Sequence, residues 1–243
     1  MSDPRPERLA HAFDTPASRR RHVRQLFETI AARYDLITRL LSFGLDQRWK
    51  RRLMALGEIR PGARVADLAC GTGDLALAAA ARGARVTGVD IAWPMVAIAR
   101  MKPGAGAARW VVGDMCDLPI ATGTIDLVTT GYGLRNVPDL SRAIAEINRV
   151  LRPGGWFCSL DFDRPPSRLV RALYLAYLTI VGSGLGWILH RDPDTYRYIP
   201  ESIRRYPGAS AVAKMLTDAG FDGARAIPVL GGLMAIHVAR RPS

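Results

Sequence analysis

From Pro61 onward the chain alternates short β-rich runs with helical stretches, and no other feature of the sequence restricts the fold as strongly. Such alternation is typical of repeated β-α-β units, which form a mostly parallel sheet with helices on both faces. The predicted strands are residues 64–69, 85–90, 109–112, 125–130 and 156–161, and the predicted helices between them are residues 74–82, 94–102 and 139–151.

The end of the chain follows a different pattern. A helix is predicted near residues 209–219, where Gly220 ends it. Two further β-like runs, near residues 224–230 and 233–239, follow each other around Gly231-Gly232, which indicates a hairpin rather than another crossover. The sequence therefore predicts an α/β fold with a mostly parallel, seven-stranded sheet that closes with an antiparallel hairpin.

Helical residues precede this domain. Apolar residues recur at intervals of three and four from Val23, which predicts an N-terminal helical cap over residues 23–60. Residues 1–22 combine prolines and charges with no apolar period, so we expect a flexible basic arm there. At 243 residues the chain suits one domain with added helices. We expect that domain to fill residues 61–243, with an inserted cover at about residues 165–205.

One segment of that insertion needs separate consideration. Residues 172–189 are eighteen residues without a charge, which is the lower length limit of a membrane-spanning helix. The glycines in its second half, among them Gly182 and Gly186, weaken a helix, and the run lies inside an α/β domain. We therefore expect a buried helix and turn, or a cap over an apolar ligand, rather than a span.

The net charge of +12 is unevenly distributed. Residues 1–60 carry +6, residues 61–160 carry +2 and residues 161–243 carry +4, so the excess lies on both flanks of a nearly neutral centre. Basic flanks favour an anionic surface such as phospholipid or nucleic acid, although an arginine-rich composition also serves solubility alone. The sequence has no recognisable base-flipping motif or RNA-binding module, so a nucleic-acid partner is not predicted.

The cysteines indicate the compartment. Cys70, Cys116 and Cys158 are odd in number and widely spaced, and only four histidines accompany them, so neither a disulfide framework nor a metal site is expected. The first residues contain no apolar run before a small-residue cleavage site, so no secretory signal is predicted. A reducing cytoplasm fits these features best.

The loop after the first predicted strand, Cys70-Gly71-Thr72-Gly73-Asp74, lies at the end where open α/β sheets bind ligands. It fits the dinucleotide pattern G-x-G-x-x-G/A, and Asp90 ends the next strand where a ribose-binding acid belongs. A pyrophosphate would, however, stand close to Asp67 and Asp74, and like charges at ~4 Å repel by ~1–4 kcal/mol. S-adenosylmethionine carries an ammonium and a sulfonium instead of a phosphate, and nearby carboxylates favour both.

The predicted cofactor is therefore S-adenosylmethionine rather than a nicotinamide dinucleotide. Asp67 and the loop are placed for its methionine half, Asp90 for the two ribose hydroxyls, and Asp114, after the third strand, for the adenine. The candidate cofactor-binding residues are Asp67, Ala69, Gly71, Thr72, Gly73, Asp90, Ile91, Asp114 and Met115.

Five stretches together resemble the class I methyltransferases, which have a Rossmann-like fold. They are Asp67-Leu-Ala-Cys-Gly-Thr-Gly-Asp74, Gly88-Val-Asp90-Ile, Gly113-Asp114, Gly131-Tyr-Gly-Leu-Arg-Asn-Val137 and Leu151-Arg-Pro-Gly-Gly155. Three stretches are similar to the ubiquinone/menaquinone biosynthesis C-methyltransferases in particular. These are Phe27-x-x-Ile-Ala-x-x-Tyr34-Asp35 with Trp49-Lys50, Gly133-Leu-Arg-Asn136, and Tyr196-Arg-Tyr198-x-x-Glu201-Ser-Ile203. The resemblance covers roughly residues 23–240.

This chain departs from the usual pattern of that family at two places. Thr38-Arg39 stands where the family usually has Asn-Asp, and Asp46-Gln47 stands where it usually has His-Arg. The resemblance implies methylation of a ring carbon of a prenylated quinol, such as demethylmenaquinol or a ubiquinone precursor. The departures concern the acceptor side, and they leave open another small phenolic or lipid acceptor.

The resemblance also implies which residues act on the acceptor. A ring carbon becomes nucleophilic when a neighbouring phenol, with a pKa of ~10, loses its proton. Arg135 is the candidate that stabilises the phenolate and orients a water, or else it forms a structural salt bridge. Asn136 either donates to the second ring oxygen or caps the helix near Asp139. His190 is a candidate base, although a lone histidine is more often structural.

A prenylated acceptor accounts for two other features together, the apolar segment at 172–189 and the basic flanks. We therefore expect a hydrophobic, quinol-like substrate and a cytoplasmic enzyme that contacts the inner face of the membrane peripherally. The side chains expected to line the acceptor pocket, or else to pack in the core, are Tyr34, Tyr196 and Tyr198. The sequence does not define the oligomeric state.

Overall fold

The computed structural model describes Leu9, residues 12–165 and residues 167–243. A seven-stranded sheet forms its centre, with strands β1 (Arg64–Leu68), β2 (Arg85–Asp90), β3 (Ala108–Val112), β4 (Ile125–Gly131), β5 (Leu151–Phe162), β6 (Asp222–Val229) and β7 (Met234–Arg240). Their order across the sheet is β3-β2-β1-β4-β5-β7-β6. Strands β1 to β5 are parallel, and β7 is antiparallel to both of its neighbours. The predicted sheet and its closing hairpin are confirmed.

Nine α-helices occur in the described residues. They are α1 (Pro16–Ile30), α2 (Tyr34–Leu41), α3 (Asp46–Leu56), α4 (Asp74–Ala80), α5 (Trp93–Met101), α6 (Leu140–Val150), α7 (Arg168–His190), α8 (Tyr198–Arg205) and α9 (Ala209–Asp218). Helices α4, α5, α6 and α9 coincide with the predicted ones to within two residues at each end. Short 3-10 turns join α1 to α2 and follow β4.

The core lies on both faces of the sheet, as parallel strands covered on each side require. On one face Ile144 and Ile147 of α6 pack with Val212 and Leu216 of α9. The opposite face is covered by side chains of α3 and α4, among them Leu53 and Leu75. A third cluster joins Ile30 and Ile37 of the N-terminal helices to Met95 of α5 and to Tyr196. The N-terminal helices are therefore packed against the domain at the end where the glycine loop lies.

The fifth strand is longer than predicted. The sequence predicts a strand at residues 156–161, but β5 already begins at Leu151, so it also contains Pro153, Gly154 and Gly155. Its pairing with β4 shifts register there: Ile125 pairs with Leu151, and Leu127 pairs with Trp156. The proline and glycines form an irregularity within the strand, because Gly154 adopts a φ of 74°.

The N-terminal arm predicted over residues 1–22 is wrong for its second part, because α1 begins at Pro16. The Thr15 side chain accepts a hydrogen bond from the Ser18 amide at 3.1 Å, and Ser18 Oγ accepts one from the Thr15 amide at 3.0 Å. This reciprocal pair is a capping box, with proline in the first turn, and it starts the helix before the apolar period becomes visible. Residues 1–8, 10 and 11 of the predicted arm lie outside the described residues.

For the uncharged segment at 172–189, the predicted buried helix and turn is wrong, whereas the alternative, a cap over an apolar ligand, stays a prediction. The segment forms one continuous helix, α7, without a turn at its glycines. Only 22% of the most apolar 18-residue stretch of this helix is buried. A Cβ on Gly186 would lie 2.4 Å from the Asp192 carbonyl oxygen, so this glycine lets the returning chain approach the helix. By length and composition alone, α7 could cross a membrane.

Candidate active site

Two cavities open at the carboxyl ends of the parallel strands. The first, which we call the loop cavity, has a volume of about 60 Å³. It is lined by Arg20, Val23, Phe27, Tyr34, Ala69, Gly71, Asp90, Ile91, Gly113, Asp114, Met115, Gly131, Tyr132, Gly133, Asn136, Val137 and Pro138. A recess of about 20 Å³ beside it is bounded by Lys50, Asp67, Cys70, Thr72 and Asp74, among others. Together they gather eight of the nine candidate cofactor residues, and the ninth, Gly73, lies in the same loop.

The glycine loop has the backbone that its sequence demands. Gly73 adopts a φ of 89°, and a Cβ there would lie 2.6 Å from the Trp110 ring. Glycine is therefore required at this position both by conformation and by space. Ala69, directly after β1, also adopts a positive φ of 48°, which costs a residue with a Cβ some strain. The loop turns sharply enough to bring backbone amides to the edge of the cavity.

Asp90 ends β2 and lies at the centre of the loop cavity. Its Oδ2 accepts a hydrogen bond from the Gly71 amide at 2.8 Å, and its Oδ1 accepts one from the Ala92 amide at 2.9 Å. Burial raises the pKa of this carboxyl, and the backbone hydrogen bonds act in the opposite direction. Each carboxylate oxygen can accept a second hydrogen bond, so Asp90 suits a pair of hydroxyl donors.

Asp67 is buried deeper, under the glycine loop. It accepts hydrogen bonds from the Thr129 hydroxyl at 2.9 Å and from the Ala76 amide at 3.0 Å. Burial raises the pKa of the Asp67 carboxyl to about 7, against the effect of these two hydrogen bonds. Asp67 is therefore poised between its charged and neutral forms, and a cation in the recess would favour the charged form.

Asp74 does not present the free negative charge that the sequence suggested. Its carboxylate accepts from Lys50 Nζ at 2.8 Å, from Lys102 Nζ at 3.0 Å and from the Gln47 amide at 2.8 Å. Although burial acts the other way, the two lysines hold its pKa well below the usual range. Lys50 also contacts Asp46 at 3.1 Å. Lys50 was not predicted as a site residue, although Trp49-Lys50 belongs to one of the stretches that carry the family resemblance.

Asp114 lies at the adenine end predicted for the cofactor. Its Oδ1 accepts from the Cys116 amide at 2.8 Å, and its Oδ2 pairs with Arg20 Nε of α1 at 2.7 Å. Thr72 contacts helix α2, because its hydroxyl donates a hydrogen bond to Asp35. The same hydroxyl accepts a hydrogen bond from Lys102 Nζ at 3.0 Å. Arg20 was not predicted as a site residue, because residues 1–22 were assigned to a flexible arm.

The second cavity, the apolar cavity, is larger, with a volume of about 420 Å³. Most of its walls are aliphatic or aromatic side chains from α1, α2, α7 and the region around α8. It shares three aromatic side chains with the loop cavity: Phe27, Tyr34 and Tyr132. The tyrosines that the sequence placed in the acceptor pocket, Tyr34, Tyr196 and Tyr198, all line it.

Arg135 also lines the apolar cavity and is buried. Its Nη1 donates to Asp161 Oδ1 at 2.9 Å and to the Tyr132 carbonyl at 2.9 Å, and its guanidinium lies 4.6 Å from the Phe162 ring centroid. The Nε is buried without a hydrogen-bond partner in the described part of the chain. Asp161, at the end of β5, is a site residue that the sequence analysis did not identify.

The loop after β4 is strained at Tyr132, which adopts a φ of 62°. Its carbonyl accepts hydrogen bonds from Arg135 and, at 2.8 Å, from Asn136 Nδ2, and these hold the turn. Asn136 does not cap the next helix, since Asp139 itself accepts from the Arg142 amide at 2.9 Å. The Asn136 side chain lines the loop cavity, and its Oδ1 is buried without a partner among the described residues.

His190 is separated from these residues. It does not line either cavity, and its Nε2 lies 2.8 Å from the Tyr196 hydroxyl. Burial and the nearby Arg33 lower its pKa, so the ring is neutral at pH 7. The three cysteines are buried and free, as expected for small apolar side chains.

The residues around the loop cavity fit S-adenosylmethionine. Asp90 offers acceptors for ribose hydroxyls, Asp67 lies beside the recess for a cationic amine, and the unpartnered Asn136 Oδ1 awaits a donor. The two lysines near the loop and Arg20 are each paired with a carboxylate in the described chain, so a pyrophosphate would have to compete with Asp74 or Asp114 for a cation. This donor set opposes a dinucleotide.

Comparison with known proteins agrees with this chemistry. Residues 15–241 match the model of the ubiE/COQ5 methyltransferase family. The demethylmenaquinone methyltransferase of Thermus thermophilus is 42% identical over 221 residues, covering 89% of this chain and 100% of that protein. The ubiquinone/menaquinone biosynthesis C-methyltransferase UbiE of Rubrivivax gelatinosus is 37% identical over 243 residues, covering 99% and 96%.

Solved structures share the fold at lower identity. A SAM-dependent methyltransferase from Aquifex aeolicus superposes with a TM-score of 0.57 at 15% identity, covering 79% of this chain and 88% of that chain. Phosphoethanolamine N-methyltransferase 2 of Haemonchus contortus, solved with S-adenosyl-L-methionine, gives 0.59 at 15% identity, covering 89% and 60%. The Rossmann-like methyltransferase fold and the predicted cofactor, S-adenosylmethionine, are confirmed. The chain belongs to the ubiE/COQ5 methyltransferase family.

Proposed function

We propose that this enzyme transfers a methyl group from S-adenosylmethionine to a ring carbon of a prenylated quinol. The observation that carries the proposal is the meeting of the two cavities. An apolar cavity of about 420 Å³, with a single buried guanidinium in its wall, joins the loop cavity at Phe27, Tyr34 and Tyr132. A ring bound there would face the cofactor site while its tail stayed in apolar surroundings. Relatives named for demethylmenaquinone and ubiquinone/menaquinone biosynthesis support this acceptor class.

Arg135 is the proposed catalytic residue on the acceptor side. Its Nε–H is a buried donor without a partner among the described residues, and a quinol oxygen is the acceptor that would satisfy it. Because Asp161 neutralises the guanidinium at longer range, stabilisation of the phenolate depends on this direct hydrogen bond. Phenolate formation places negative charge on the neighbouring ring carbon and makes it the nucleophile.

The cofactor is held by the residues around the loop cavity and the recess. We assign the ribose hydroxyls to Asp90, the adenine to Asp114 with Ile91 and Met115, and the amino group to Asp67. Bound S-adenosylmethionine supplies an electrophilic methyl group on its sulfonium. The protein's further task is alignment of the ring carbon with that methyl group, which the shared aromatic wall of the two cavities would perform.

The ring carbon must then lose its hydrogen as a proton to restore aromaticity. We propose that His190 accepts this proton through the hydroxyl of Tyr196, which lines the apolar cavity. A histidine that is neutral at pH 7 can take up a proton and release it to solvent. The C–H electron pair returns to the ring and regenerates the phenolate, which takes back from water the proton that the phenol released at the start. The net products are the methylated quinol, S-adenosylhomocysteine and one proton.

A long prenyl tail needs an apolar path beyond the cavity. Leu173 and Val170 of α7 line the cavity and are also exposed, and the exposed apolar stripe continues along α7. Phe43, after α2, stacks on Tyr177 of α7 with ring centroids 5.9 Å apart, which extends the stripe to α2. We call these exposed apolar side chains of α7, α2 and the residue after α2 the apolar surface: Leu36, Leu40, Phe43, Leu169, Val170, Leu173, Ile180, Trp187 and Ile188.

We propose that this surface rests on the cytoplasmic face of an anionic bilayer. Arg168 and Arg171 begin α7, Arg191 follows it, and Arg39 lies on α2, so cations surround the stripe. Each such residue near an anionic surface contributes ~1 kcal/mol, and salt weakens that contribution. The oligomeric state of the enzyme forms no part of this proposal.

Liposome co-sedimentation tests the membrane contact. Binding should require anionic lipid, be released by high salt and be lost in Ile188→Asp, whereas Met101→Asp should bind normally. Met101 is as exposed as Ile188, at 87% against 75%, but lies outside the surface. Extraction by detergent alone would show that α7 spans the bilayer, and indifference to all liposomes would favour a soluble acceptor.

Product analysis tests the acceptor. The purified enzyme should transfer a labelled methyl group to the ring carbon of chemically reduced demethylmenaquinone or of a ubiquinone precursor, as identified by mass spectrometry. A water-soluble phenol and phosphatidylethanolamine serve as the other acceptors. Turnover confined to either of those two would overturn the proposal.

A further inference from the structure

At the adenine end of the loop cavity, one wall is formed by a residue that lies outside the cofactor-binding motifs. Arg20, on the second turn of α1, lines this cavity together with Asp90, Asp114 and Met115. Its Nε lies 2.7 Å from Asp114 Oδ2, although 53% of the arginine side chain is exposed. One face of the arginine therefore belongs to the cavity and the other to solvent.

Asp114 needs such a cation when a ligand covers it. Its side chain is only 9% exposed, and besides Arg20 it receives one hydrogen bond from the part of the chain that the structure describes, from the Cys116 amide. An adenine ring is neutral, so its approach would remove water from the carboxylate without supplying a countercharge. A charged group that loses water without a charged partner is strongly destabilised. Arg20 supplies that partner from the side of α1.

The preceding residue connects α1 to the acceptor side. Arg19 Nη2 donates to the backbone carbonyl of Arg135, in the turn after β4. Two consecutive residues of α1 thus contact the ends of two different strand loops, Asp114 after β3 and Arg135 after β4. Helix α1 therefore crosses the mouth of the loop cavity and is anchored on both sides of it.

We propose that Arg20 is a cofactor-binding residue that closes α1 over the adenine of S-adenosylmethionine. Its Nε pairs with Asp114, the carboxylate assigned to the adenine amino group, and its planar guanidinium forms the outer wall against which the adenine lies. The inference rests on the proposed assignment of the adenine to Asp114. Because Arg19 and Arg20 anchor α1 on both sides of the loop cavity, a cofactor bound there would lie beneath this helix.

Calorimetry with S-adenosylhomocysteine tests the assignment. Arg20→Ala should weaken binding by about tenfold, the usual result of removing a charged hydrogen bond, and Arg20→Lys should recover part of the loss. Arg24→Ala is the matched control, because Arg24 lies one turn further on the same helix and, within the described residues, pairs only with Glu28 at an exposed position. It should bind as the wild type does.

Limited trypsin digestion gives a readout independent of turnover. S-adenosylhomocysteine should slow cleavage within α1 in the wild type and in Arg24→Ala, and it should protect Arg20→Ala much less. Equal binding and equal protection in Arg20→Ala and the wild type would overturn the inference. Tighter binding by Arg20→Ala would also overturn it, because the arginine would then compete with the adenine.

The failure of the underlying assignment is recognisable in the same experiment. A wild-type protein that binds no S-adenosylhomocysteine would refute the cofactor site itself. A wild type that binds, with Asp114→Asn unaffected, would refute the adenine assignment, and the role of Arg20 with it. If Arg20→Ala does not fold, as judged by its melting temperature, the comparison is made with Arg20→Lys. The affinity of Arg20→Lys for S-adenosylhomocysteine must then be lower than that of Arg24→Ala but still measurable.

Discussion

The two cavities of this enzyme are built in opposite ways. Around the loop cavity, Asp67, Asp90 and Asp114 lie at or near the carboxyl end of a parallel strand, and each accepts a hydrogen bond from a backbone amide within ten residues. The apolar cavity takes its walls from α1, α2, α7 and the region of α8, and its buried ion pair joins Arg135 to Asp161, twenty-six residues away.

This difference separates two kinds of recognition. A small polar cofactor is bound through fixed donors and acceptors, which a short loop at a strand end can position by itself. A large apolar acceptor is bound mainly because binding removes its apolar surface from water. Enclosing that surface requires side chains from several elements. Substitutions on one side should therefore change cofactor affinity, and substitutions on the other should change turnover of the acceptor.

The largest effect is expected from Arg135→Lys. Lysine keeps the charge beside Asp161 but lacks the Nε–H that has no protein partner, so the phenolate loses its hydrogen bond. We expect kcat to fall by ~10²–10³, as when one donor to a developing oxyanion is removed. Affinity for S-adenosylhomocysteine should stay unchanged. A parallel loss of melting temperature in this variant would mean that the arginine serves the fold alone.

Asp90→Ala should affect the opposite side. The variant loses the acceptors for the ribose hydroxyls and also leaves the Gly71 and Ala92 amides without their partner. Calorimetry should show weaker S-adenosylhomocysteine binding by ~1–3 kcal/mol, the range for an unpaired buried polar group. With saturating cofactor, the KM for the acceptor should match the wild type. A changed acceptor KM with unchanged cofactor affinity would reverse the assignment of the two cavities.

His190→Gln should have a smaller effect on turnover. Glutamine can keep a hydrogen bond to Tyr196 but cannot accept a proton at neutral pH. Because the ring proton leaves after methyl transfer, we expect kcat to fall by less than about tenfold, below the range of an obligatory general base. The pH profile of kcat should lose its acidic limb, which lies below the ordinary histidine pKa because burial and Arg33 lower the pKa of His190. An unaltered profile would exclude His190 from proton transfer.

The smallest effect is a dependence of cofactor binding on pH. The folded-state pKa of Asp67, about 7, lies above its ordinary value, and the cofactor's ammonium favours the charged carboxylate. Binding of S-adenosylhomocysteine should therefore strengthen a few-fold from pH 6 to pH 8 in the wild type and stay flat in Asp67→Asn. A constant affinity across that range in the wild type would place the amino group elsewhere.

The raised pKa of Asp67 also makes the free energy of unfolding depend on pH. Because the folded-state pKa is raised, the native protein binds this proton more readily than the unfolded chain does. The contribution of Asp67 to the free energy of unfolding is therefore fully present near pH 4 and is lost as the pH rises through about 7. Urea unfolding of the wild type and Asp67→Asn at pH 5 and pH 8 measures this difference.

The sheet and the cofactor loop were readable from the sequence because their signals are local. Strand periodicity, the glycines at 71 and 73 and the acid at 90 depend on neighbours within a few residues. The errors lie where local signals compete with packing. Thr15 and Ser18 start α1 inside the expected arm, and Gly182 and Gly186 stay helical because the chain after α7 packs against them.

Site residues that depend on distant partners were missed for the same reason. Nothing in the sequence around Asp161 indicates that it holds Arg135, and nothing around Arg20 indicates that it reaches Asp114. The charge of Asp74 was misjudged because Lys50 and Lys102, which neutralise it, are 24 and 28 residues away along the chain.

The sequence by itself determined the parallel sheet, the cofactor loop, the family and the class of chemistry, since each follows from short motifs in fixed order. Only the tertiary structure decided which side chains share a cavity, which carboxylates remain uncompensated and where apolar surface stays exposed. The physical reason is that charge compensation and burial depend on distance in space, and packing of α1, α2 and α7 against the strand ends determines those distances.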